Sequence, residues 1–387
     1  MINPFWLLLF LTVVINMGVG LIIPVMPIFL KEFGFSTGHL SVAFFALVFA
    51  RFIAQNVGGR LILKFGYYKV LGISFCLYVI TMGLYPFVFT KDIFICFRFL
   101  EGIFEGFAVV CLTDLSIELS NNKDRAKKMG YFSAAFGLGF ILGPSIGGLM
   151  FQGYGKYGMF WSAGLLGAIG LIGLLIAHKA LNLKHEEKTT SRNFFVNFNK
   201  ESLSLLPFYG PYILRRVLFF SLQLLLPLYL HEYFHVSPGK VGIYFSISAI
   251  LTTALMPFTG RVADIFSCKK IIIMCLLIMG GSIASFGFMP KQSFFLTVFI
   301  LETLAFAFML PTGMKIFGDV ISSNSNRGQI LGFFGSLTDI CTIIIPFIIL
   351  PLYDIMAKLP WIFLGGLCVL ASIPFWKVPV LNYANNN

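Results

Sequence analysis

Residues 27–33 read Pro-Ile-Phe-Leu-Lys-Glu-Phe, and residues 227–233 read Pro-Leu-Tyr-Leu-His-Glu-Tyr. The second stretch repeats the pattern of the first, 200 positions later. Further pairs follow along the chain at offsets of 201 or 202: Gly59 with Gly260, Glu101 with Glu302, Glu118 with Asp319, Arg125 with Arg327 and Pro144 with Pro346. Because the offset barely drifts, we interpret the second half of the chain as a diverged copy of the first.

The composition is that of a membrane protein. Hydrophobic residues make up 58% of the 387 residues and charged residues only 11%. A soluble domain carries about 25% charged residues and could not cover its surface with so few. An apolar chain built of two similar halves is typical of transporters, whose substrate site lies between the repeats near the middle of the bilayer.

Apolar stretches long enough to cross about 30 Å of hydrocarbon recur along the whole chain. Lipid favours helices for such stretches because their backbone polar groups are satisfied within the segment. We therefore predict an all-α integral membrane protein with twelve transmembrane helices in two pseudo-symmetric six-helix bundles, at 1–178 and 208–378. A cytosolic linker at 179–207 joins the bundles, and a tail at 379–387 follows. The predicted spans are 4–30, 39–62, 69–89, 93–119, 129–151, 157–178, 208–231, 239–260, 269–289, 293–318, 328–352 and 357–378.

The basic residues are distributed unevenly between the predicted loops. Of the 28 lysines and arginines, 20 fall on one side if both termini are cytosolic, and Arg51 and Arg98 fall inside helices. Cytosolic loops carry the excess of positive charge in membrane proteins, so this distribution predicts both termini in the cytosol of a multi-pass protein in the cytoplasmic (inner) membrane. The six predicted outer lysines are Lys31, Lys91, Lys156, Lys240, Lys291 and Lys358.

Several classes of function are disfavoured by the sequence. The excess positive charge, +12 overall, is explained by loop topology, so no nucleic-acid partner is expected. The seven cysteines form no CxxC pair, and no glycine-rich loop with Lys-Ser or Lys-Thr is present. We expect no metal, no cofactor, no enzymatic activity and no direct use of ATP. An ion gradient or the substrate's own gradient is the expected energy source.

Two related motifs follow the second and eighth predicted helices. The first begins at Gly59 and reads Gly-Arg-Leu-Ile-Leu-Lys-Phe-Gly, and the second begins at Gly260 and reads Gly-Arg-Val-Ala-Asp-Ile-Phe-Ser. Both resemble the cytosolic loop motif of the major facilitator superfamily, in which a small residue lets helices close tightly and an acid latches the cytosolic face. The second copy keeps the acid as Asp264, whereas the first has Leu63 at that position. Glu118 and Arg125 lie nearby in sequence and are candidates to replace the missing latch.

Two elements in the first half extend the resemblance. The sequence Arg-Phe-Leu-Glu-Gly from Arg98 to Gly102 resembles the family's Arg-x-x-Gln-Gly element, with Glu101 in place of Gln. The sequence from Gly139 to Gly148 is similar to the Gly-x-x-x-Gly-Pro-x-x-Gly-Gly element of the superfamily's antiporters, with Gly143 and Pro144 at its centre. Glycines spaced by four allow close helix contact, and proline bends a helix.

The group that the chain most resembles is the twelve-helix drug:proton antiporters. That resemblance implies proton-coupled export of a small organic molecule by alternating access, as multidrug efflux or as export of a dedicated metabolite or siderophore. One alternative is a proton-coupled importer of a nutrient or organic acid. A further alternative is a membrane sensor that no longer transports. Proteins of this architecture usually work as monomers in the lipid bilayer.

Ionisable residues inside the spans are the candidate functional groups, because burying charge in lipid is costly. Arg98, Glu101 and Glu105 share a helix face by their spacing. A carboxyl group in a low-dielectric cavity binds a proton more readily than one in water. We hypothesise that Glu101 and Glu302, facing each other across a central cavity, exchange protons, while Arg98 holds one acid ionised. The further candidates for proton coupling are Asp339, Glu105 and Asp114.

The candidate substrate contacts are Arg98, Arg51, Asn16 and Gln223. Arg51 either attracts an anionic substrate or pairs with an acid such as Asp114. Two arginines favour a carboxylate-bearing cargo, whereas the acids favour cations and protons, so the sequence leaves the class of cargo open. For Asn16 and Gln223 the competing interpretation, a hydrogen bond between helices, is slightly favoured.

Overall fold

The computed structural model describes residues 3–120, 124–176, 205–322 and 327–377, and these are helical almost throughout. The predicted linker falls almost wholly outside the described residues, and the tail entirely so. The helices of the first half are α1 (Pro4–Ile22), α2 (Met26–Glu32), α3 (Thr37–Leu84), α4 (Lys91–Glu118) and α5 (Arg125–Ile176), with a 3-10 turn at Tyr85–Phe87. Those of the second half are α6 (Leu206–Phe234), α7 (Pro238–Ile265), α8 (Cys268–Phe286), α9 (Gln292–Ser322), α10 (Arg327–Ile344), α11 (Pro346–Ile355) and α12 (Leu359–Lys377).

Two of these helices are long enough for two crossings each. Glycine divides each of them: Gly66 has φ 78° in α3 and Gly155 has φ 60° in α5, a backbone region that residues with a side chain avoid. The segments Pro4–Glu32 and Phe333–Ile355 each form one apolar span although a break interrupts them. With α4, which is long enough but carries more charge than an ordinary span, the described helices give the predicted twelve crossings.

The helix breaks follow proline and capping chemistry. Pro27 lies in the first turn of α2 and Pro346 begins α11, positions where the missing backbone N–H costs nothing. Pro144, the repeat partner of Pro346, instead lies inside α5. At the start of α3, Ser36 Oγ accepts a hydrogen bond from the backbone N–H of His39, at 3.4 Å.

The chain forms two compact units. The first comprises the described residues within Met1–Phe194 and Gln223–Ile250, and the second those within Phe195–Leu222 and Leu251–Asn387. The end of α6 and the start of α7 therefore belong to the first unit. The division into bundles at 178 and 208 stays a prediction.

Glycines set how closely the helices of the first unit approach. A Cβ at Gly102 would collide with the backbone carbonyl of Leu47, and one at Gly106 would lie 2.7 Å from the Arg51 carbonyl. In α5, a Cβ at Gly139 would lie 2.6 Å from the Asn16 Cβ. These positions bring α4 onto α3 and α5 onto α1, the close approach that small residues permit between membrane helices.

We predict that Gly102→Ala destabilises the protein because the added methyl group has no space beside Leu47. Overpacking of this kind costs about 1–3 kcal/mol. The measurement is the thermal unfolding temperature of the purified protein in detergent. Gly83→Ala is the matched control, since a Cβ there meets nothing within 4 Å, and it should leave the unfolding temperature unchanged or raise it. Equal effects of the two substitutions would contradict the proposed packing.

Candidate functional site

The middle of α4 presents three ionisable side chains to the interior of the first unit. Arg98, Glu101 and Glu105 are 3%, 2% and 5% exposed, as their spacing on one helix face predicts. Charged groups are rarely buried to this extent unless they are paired. The contacts of these side chains therefore define the candidate site.

Glu101 has two partners. Arg98 Nη1 lies 2.8 Å from Glu101 Oε2 and forms a salt bridge with it. The Tyr85 hydroxyl donates a hydrogen bond to the same oxygen, also at 2.8 Å. The Arg98 guanidinium lies over the Phe44 ring at 5.3 Å. The charge of Glu101 is thus balanced by Arg98, and Tyr85 adds a hydrogen bond. Both partners pack against aromatic rings, Arg98 against Phe44 and Tyr85 against Phe160.

Glu105 has a weaker contact. Arg51 Nη1 on α3 lies 3.5 Å from Glu105 Oε2, and the Arg51 side chain is 20% exposed. Glu105 is thus the acid that pairs with Arg51. The suggested pairing with Asp114 is wrong, because Asp114 lies more than two helical turns further along α4 and is exposed.

Tyr78 completes the polar part of this region. Its ring stacks on Phe104 with centroids 4.2 Å apart. Its hydroxyl is buried and has no hydrogen-bond partner within the described part of the chain. The hydroxyl occupies the space that the absent side chain of Gly18 leaves open.

The two amide side chains predicted to contact substrate, Asn16 and Gln223, differ in burial. The Asn16 side chain is buried, and its Nδ2 donates to the backbone carbonyl of Thr12 at 2.8 Å, within its own helix. Gln223 is half-buried in α6. A role in substrate binding stays a prediction for both residues.

The second unit contains its own buried acid. Glu302 on α9 is 3% exposed, and its Oε1 has no hydrogen-bond partner among the described residues. Arg215 on α6 is close enough to interact with it electrostatically, and the Arg215 guanidinium lies 3.9 Å from the Phe306 ring centroid. Asp339 on α10 is half-buried. Glu101 and Glu302 belong to different units, so the idea that they face each other stays a prediction.

The cytosolic-motif acids are arranged differently in the two halves. In the second half, Lys315 Nζ lies 2.8 Å from Asp264 Oδ1 and 3.0 Å from the Ala263 carbonyl. In the first half, Asp114 is the repeat partner of Lys315. The Tyr67 hydroxyl donates to Asp114 and contacts Glu118 as well. A tyrosine and two acids therefore stand where the second half has an ion pair.

Two predicted gating residues need comment. Gly59 makes no tight helix contact in this structure, because it is exposed and an added Cβ would meet nothing within 4 Å, so its gating role stays a prediction. The preceding Gly58 faces the neighbouring helix instead, because a Cβ added there would lie 3.5 Å from Phe107 and Val110. The side chain of Arg125 lies outside the described residues, so its suggested role stays a prediction.

The antiporter-type element of α5 is enclosed on two sides. On one side, a Cβ at Gly143 would lie 2.6 Å from the Met17 carbonyl of α1. On the other, Ser145 Oγ and Ser246 Oγ of α7 lie 2.6 Å apart, and the Pro144 carbonyl is directly against Gly242. Gly143 and Pro144 therefore lie where α5 contacts both α1 and α7.

Comparison with known proteins identifies the family. The sequence pattern of the Major Facilitator Superfamily matches residues 8–224 and again residues 212–385. The chain belongs to this superfamily. The double match agrees with the internal repeat read from the sequence.

Relatives of this chain include proteins that are named for drug resistance. Multidrug resistance protein 2 of Bacillus subtilis is 26% identical over 373 residues, which cover 93% of this chain and 92% of that protein. The quinolone resistance protein NorA of Staphylococcus aureus is 29% identical over 235 residues, 59% of each chain. The resemblance to the drug-antiporter group is therefore confirmed.

Solved structures confirm the fold. The nucleoside transporter NupG superposes with a TM-score of 0.76 at 12% identity, covering 97% of this chain and all of NupG. A bacterial homologue of the human lysosomal transporter Spinster, in an inward-facing unoccupied conformation, gives 0.74 at 13% identity over 97% of both chains. At these identities the likeness concerns architecture and leaves the substrate open.

Sequence reasoning missed three residues of the site. Tyr85 and Tyr78 were not recognised because tyrosines are common in membrane helices, and only the fold shows which of them contact α4. Arg215 was overlooked because only Arg51 and Arg98 were counted inside helices, although Arg215 is the eighth residue of the predicted span 208–231. Its position inside an apolar segment was the available signal.

We predict that the Arg98–Glu101 pair shows strong thermodynamic coupling. Arg98→Gln or Glu101→Gln alone leaves a buried charge unpaired, which costs about 3–5 kcal/mol. The double variant removes both charges and should be more stable than either single variant. The measurement is thermal unfolding of all four proteins in one detergent. Additive losses in the double variant would contradict the pairing.

Proposed function

We propose that this protein exports small organic molecules from the cytosol in exchange for protons, by alternating access. The buried network on α4 is the observation that carries the proposal. Two acids and two arginines inside a membrane-spanning bundle are costly to maintain, and such groups commonly mark proton or ion pathways. The names of the drug-resistance relatives support efflux as the direction.

The geometry suggests different roles for the two acids of α4. Glu101 is held by Arg98 and Tyr85 at 2.8 Å each, so this carboxylate has two close, charge-assisted contacts. Glu105 is held by the single, longer contact to Arg51 at 3.5 Å. A proton arriving at Glu105 would remove the ionic attraction to Arg51, and the freed guanidinium would change its contacts. We therefore assign the exchanging proton of the first unit to Glu105 and a positioning role to Glu101.

Glu302 is the corresponding candidate in the second unit. Its buried Oε1 lacks a hydrogen-bond partner in the described structure, so it has a place for a proton or for a cationic group of the substrate. Asp339 remains a further candidate. Asp114 is less suited to this role because it is exposed and bonded to Tyr67.

The charge balance favours neutral or cationic cargo. In the first unit Arg98 and Arg51 are each paired with an acid. Those arginines are therefore not available to an anionic substrate while the acids are ionised. A carboxylate-bearing metabolite or siderophore is the competing class.

The predicted topology determines how the direction of transport can be tested. The excess of basic residues places both termini in the cytosol. In everted vesicles an exporter accumulates its substrate when the interior is acidified, whereas the alternative importer accumulates it in right-side-out vesicles. Binding of ligand without flux in either preparation would support the sensor.

We predict that Glu105→Gln and Glu302→Gln each reduce proton-driven uptake of a lipophilic cationic dye into everted vesicles by about tenfold or more, equivalent to about 1.4 kcal/mol. Downhill dye exchange without a pH gradient should persist, because the path for the dye remains. Dye uptake is followed as a change in fluorescence after the gradient is imposed. Accumulation of an organic anion in place of the dye would assign the other class of cargo.

Asp92→Asn is the matched control for these variants. Asp92 lies on the same helix as Glu105 but in its exposed first turn. It should transport like the unmodified protein. Undiminished gradient-driven uptake in the combined Glu101→Gln, Glu105→Gln and Glu302→Gln variant would contradict proton coupling through these acids.

A further inference from the structure

The internal repeat places two charged dipeptides at equivalent positions. Lys31-Glu32 ends α2, and His231-Glu232 lies near the end of α6, 200 residues later. Each dipeptide joins a basic side chain to an acidic one. The end of α6 and the whole of α2 belong to the first compact unit, so their contacts can be read directly.

The two dipeptides contact each other reciprocally. Lys31 Nζ lies 3.9 Å from Glu232 Oε1, and His231 Nε2 lies 3.9 Å from Glu32 Oε1. The base of each dipeptide thus faces the acid of the other. An accidental surface contact has no reason to follow the symmetry of the repeat, whereas a contact between the matching ends of two related halves does.

The histidine is the changeable member of this arrangement. His231 Nδ1 lies 3.2 Å from the Val236 carbonyl, which suits an N–H donor at Nδ1. In the neutral ring Nε2 then carries a lone pair that faces the Glu32 carboxylate. Adding a proton to Nε2 converts this unfavourable contact into an ion pair. Histidine is the side chain that ordinarily changes charge between about pH 5 and pH 8.

The backbone around His231 is well defined. The Val236 N–H donates to the Leu230 carbonyl at 3.0 Å, Val236 is buried, and His235 adopts φ 52°. Tyr229 and Tyr233 stack with centroids 5.1 Å apart. They hold the Val236 carbonyl in the position where it contacts His231 Nδ1.

Other charged groups lie near this end of the unit. Lys31 and Glu32 come from α2, and Glu232 is the neighbour of His231 on α6. Lys156 of α5 lines a cavity of about 300 Å³ together with Glu32. His235 and Lys240 follow in the turn and at the start of α7. Because His235 lies only four residues from His231, the two histidines must be separated by experiment.

We infer that Lys31-Glu32 and His231-Glu232 form a reciprocal, proton-sensitive lock that holds the ends of α2 and α6 together on the side predicted to face outward. Alternating access, which membership of the superfamily implies, requires this contact to open during each cycle. When His231 is protonated both ion pairs hold the lock, and when it is neutral only Lys31–Glu232 does. Acid on that side of the membrane therefore favours the state closed there. The inference depends on alternating access and not on the proposed proton coupling.

The expected effect is modest because the side chains are partly exposed, from 29% for Lys31 to 54% for Glu32. Ion pairs of this kind shift an equilibrium by about two- to fivefold. A sensitive local measurement is therefore required. Amide hydrogen–deuterium exchange of the full-length protein in lipid nanodiscs reports on the two segments 26–34 and 229–237 directly, after correction for the intrinsic effect of pH on exchange.

In the unmodified protein we expect the corrected exchange of both segments to rise about two- to fivefold between pH 5.5 and pH 8. His231→Gln should exchange at both pH values as fast as the unmodified protein does at pH 8. His231→Lys should exchange at both pH values as slowly as the unmodified protein does at pH 5.5. Glu32→Gln removes the acid that faces His231, so it should also abolish the pH response. This variant provides the test if a His231 variant does not fold. His235→Asn is the control, since asparagine tolerates positive φ, and it should keep the response.

Three results would overturn the inference: an unchanged pH response in His231→Gln, loss of the response in His235→Asn, or equal exchange in His231→Gln and His231→Lys. The measurement uses neither substrate nor a gradient. Failure of the proposed proton antiport would therefore leave its outcome unaffected, and the two proposals can fail separately.

Discussion

An ionised side chain inside a membrane-spanning bundle must be neutralised by a partner of opposite charge. Arg98 and Glu101 meet this condition at 2.8 Å, with Tyr85 as a second donor to the same oxygen. If either charge is lost, the other is left buried and uncompensated. Because Glu101 is satisfied in this way, the second acid, Glu105, depends on the longer contact to Arg51. Two carboxylates on one helix face thus differ in how fully they are paired, and the proposed proton exchange rests on that difference.

Helix packing through glycine makes these short contacts possible. Gly102 and Gly106 let α4 approach the backbone of α3, which carries Arg51 towards Glu105. Gly139 and Gly143 do the same for α5 against α1, and the opposite side of α5 meets α7 through Ser145 and Ser246. The α5 element that resembles those of antiporters is therefore a packing centre between three helices.

Much of this architecture could be predicted from the amino-acid sequence alone. Span length, the repeat offset and the spacing of Arg98, Glu101 and Glu105 depend on local periodicity, so twelve helices and a shared polar face were predictable. Partners were harder because they join positions distant in sequence: Arg51 meets Glu105 rather than Asp114, and Gly58 rather than Gly59 lies against α4. Tyr85 lies in a short 3-10 turn, which no periodic pattern marks. Orientation, proton coupling and the class of cargo depend on the membrane and on substrate, and they stay proposals.

The proposed antiport requires that a buried carboxylic acid lose its proton when cargo binds. Infrared difference spectroscopy of the protein in lipid measures this directly, because a protonated carboxyl group has a carbonyl band that the carboxylate lacks. On addition of a cationic dye, the account predicts loss of that band in the unmodified protein, with a smaller loss in Glu105→Gln and Glu302→Gln. Dye binding with no change in the carbonyl band, or the same change in both variants, would contradict it.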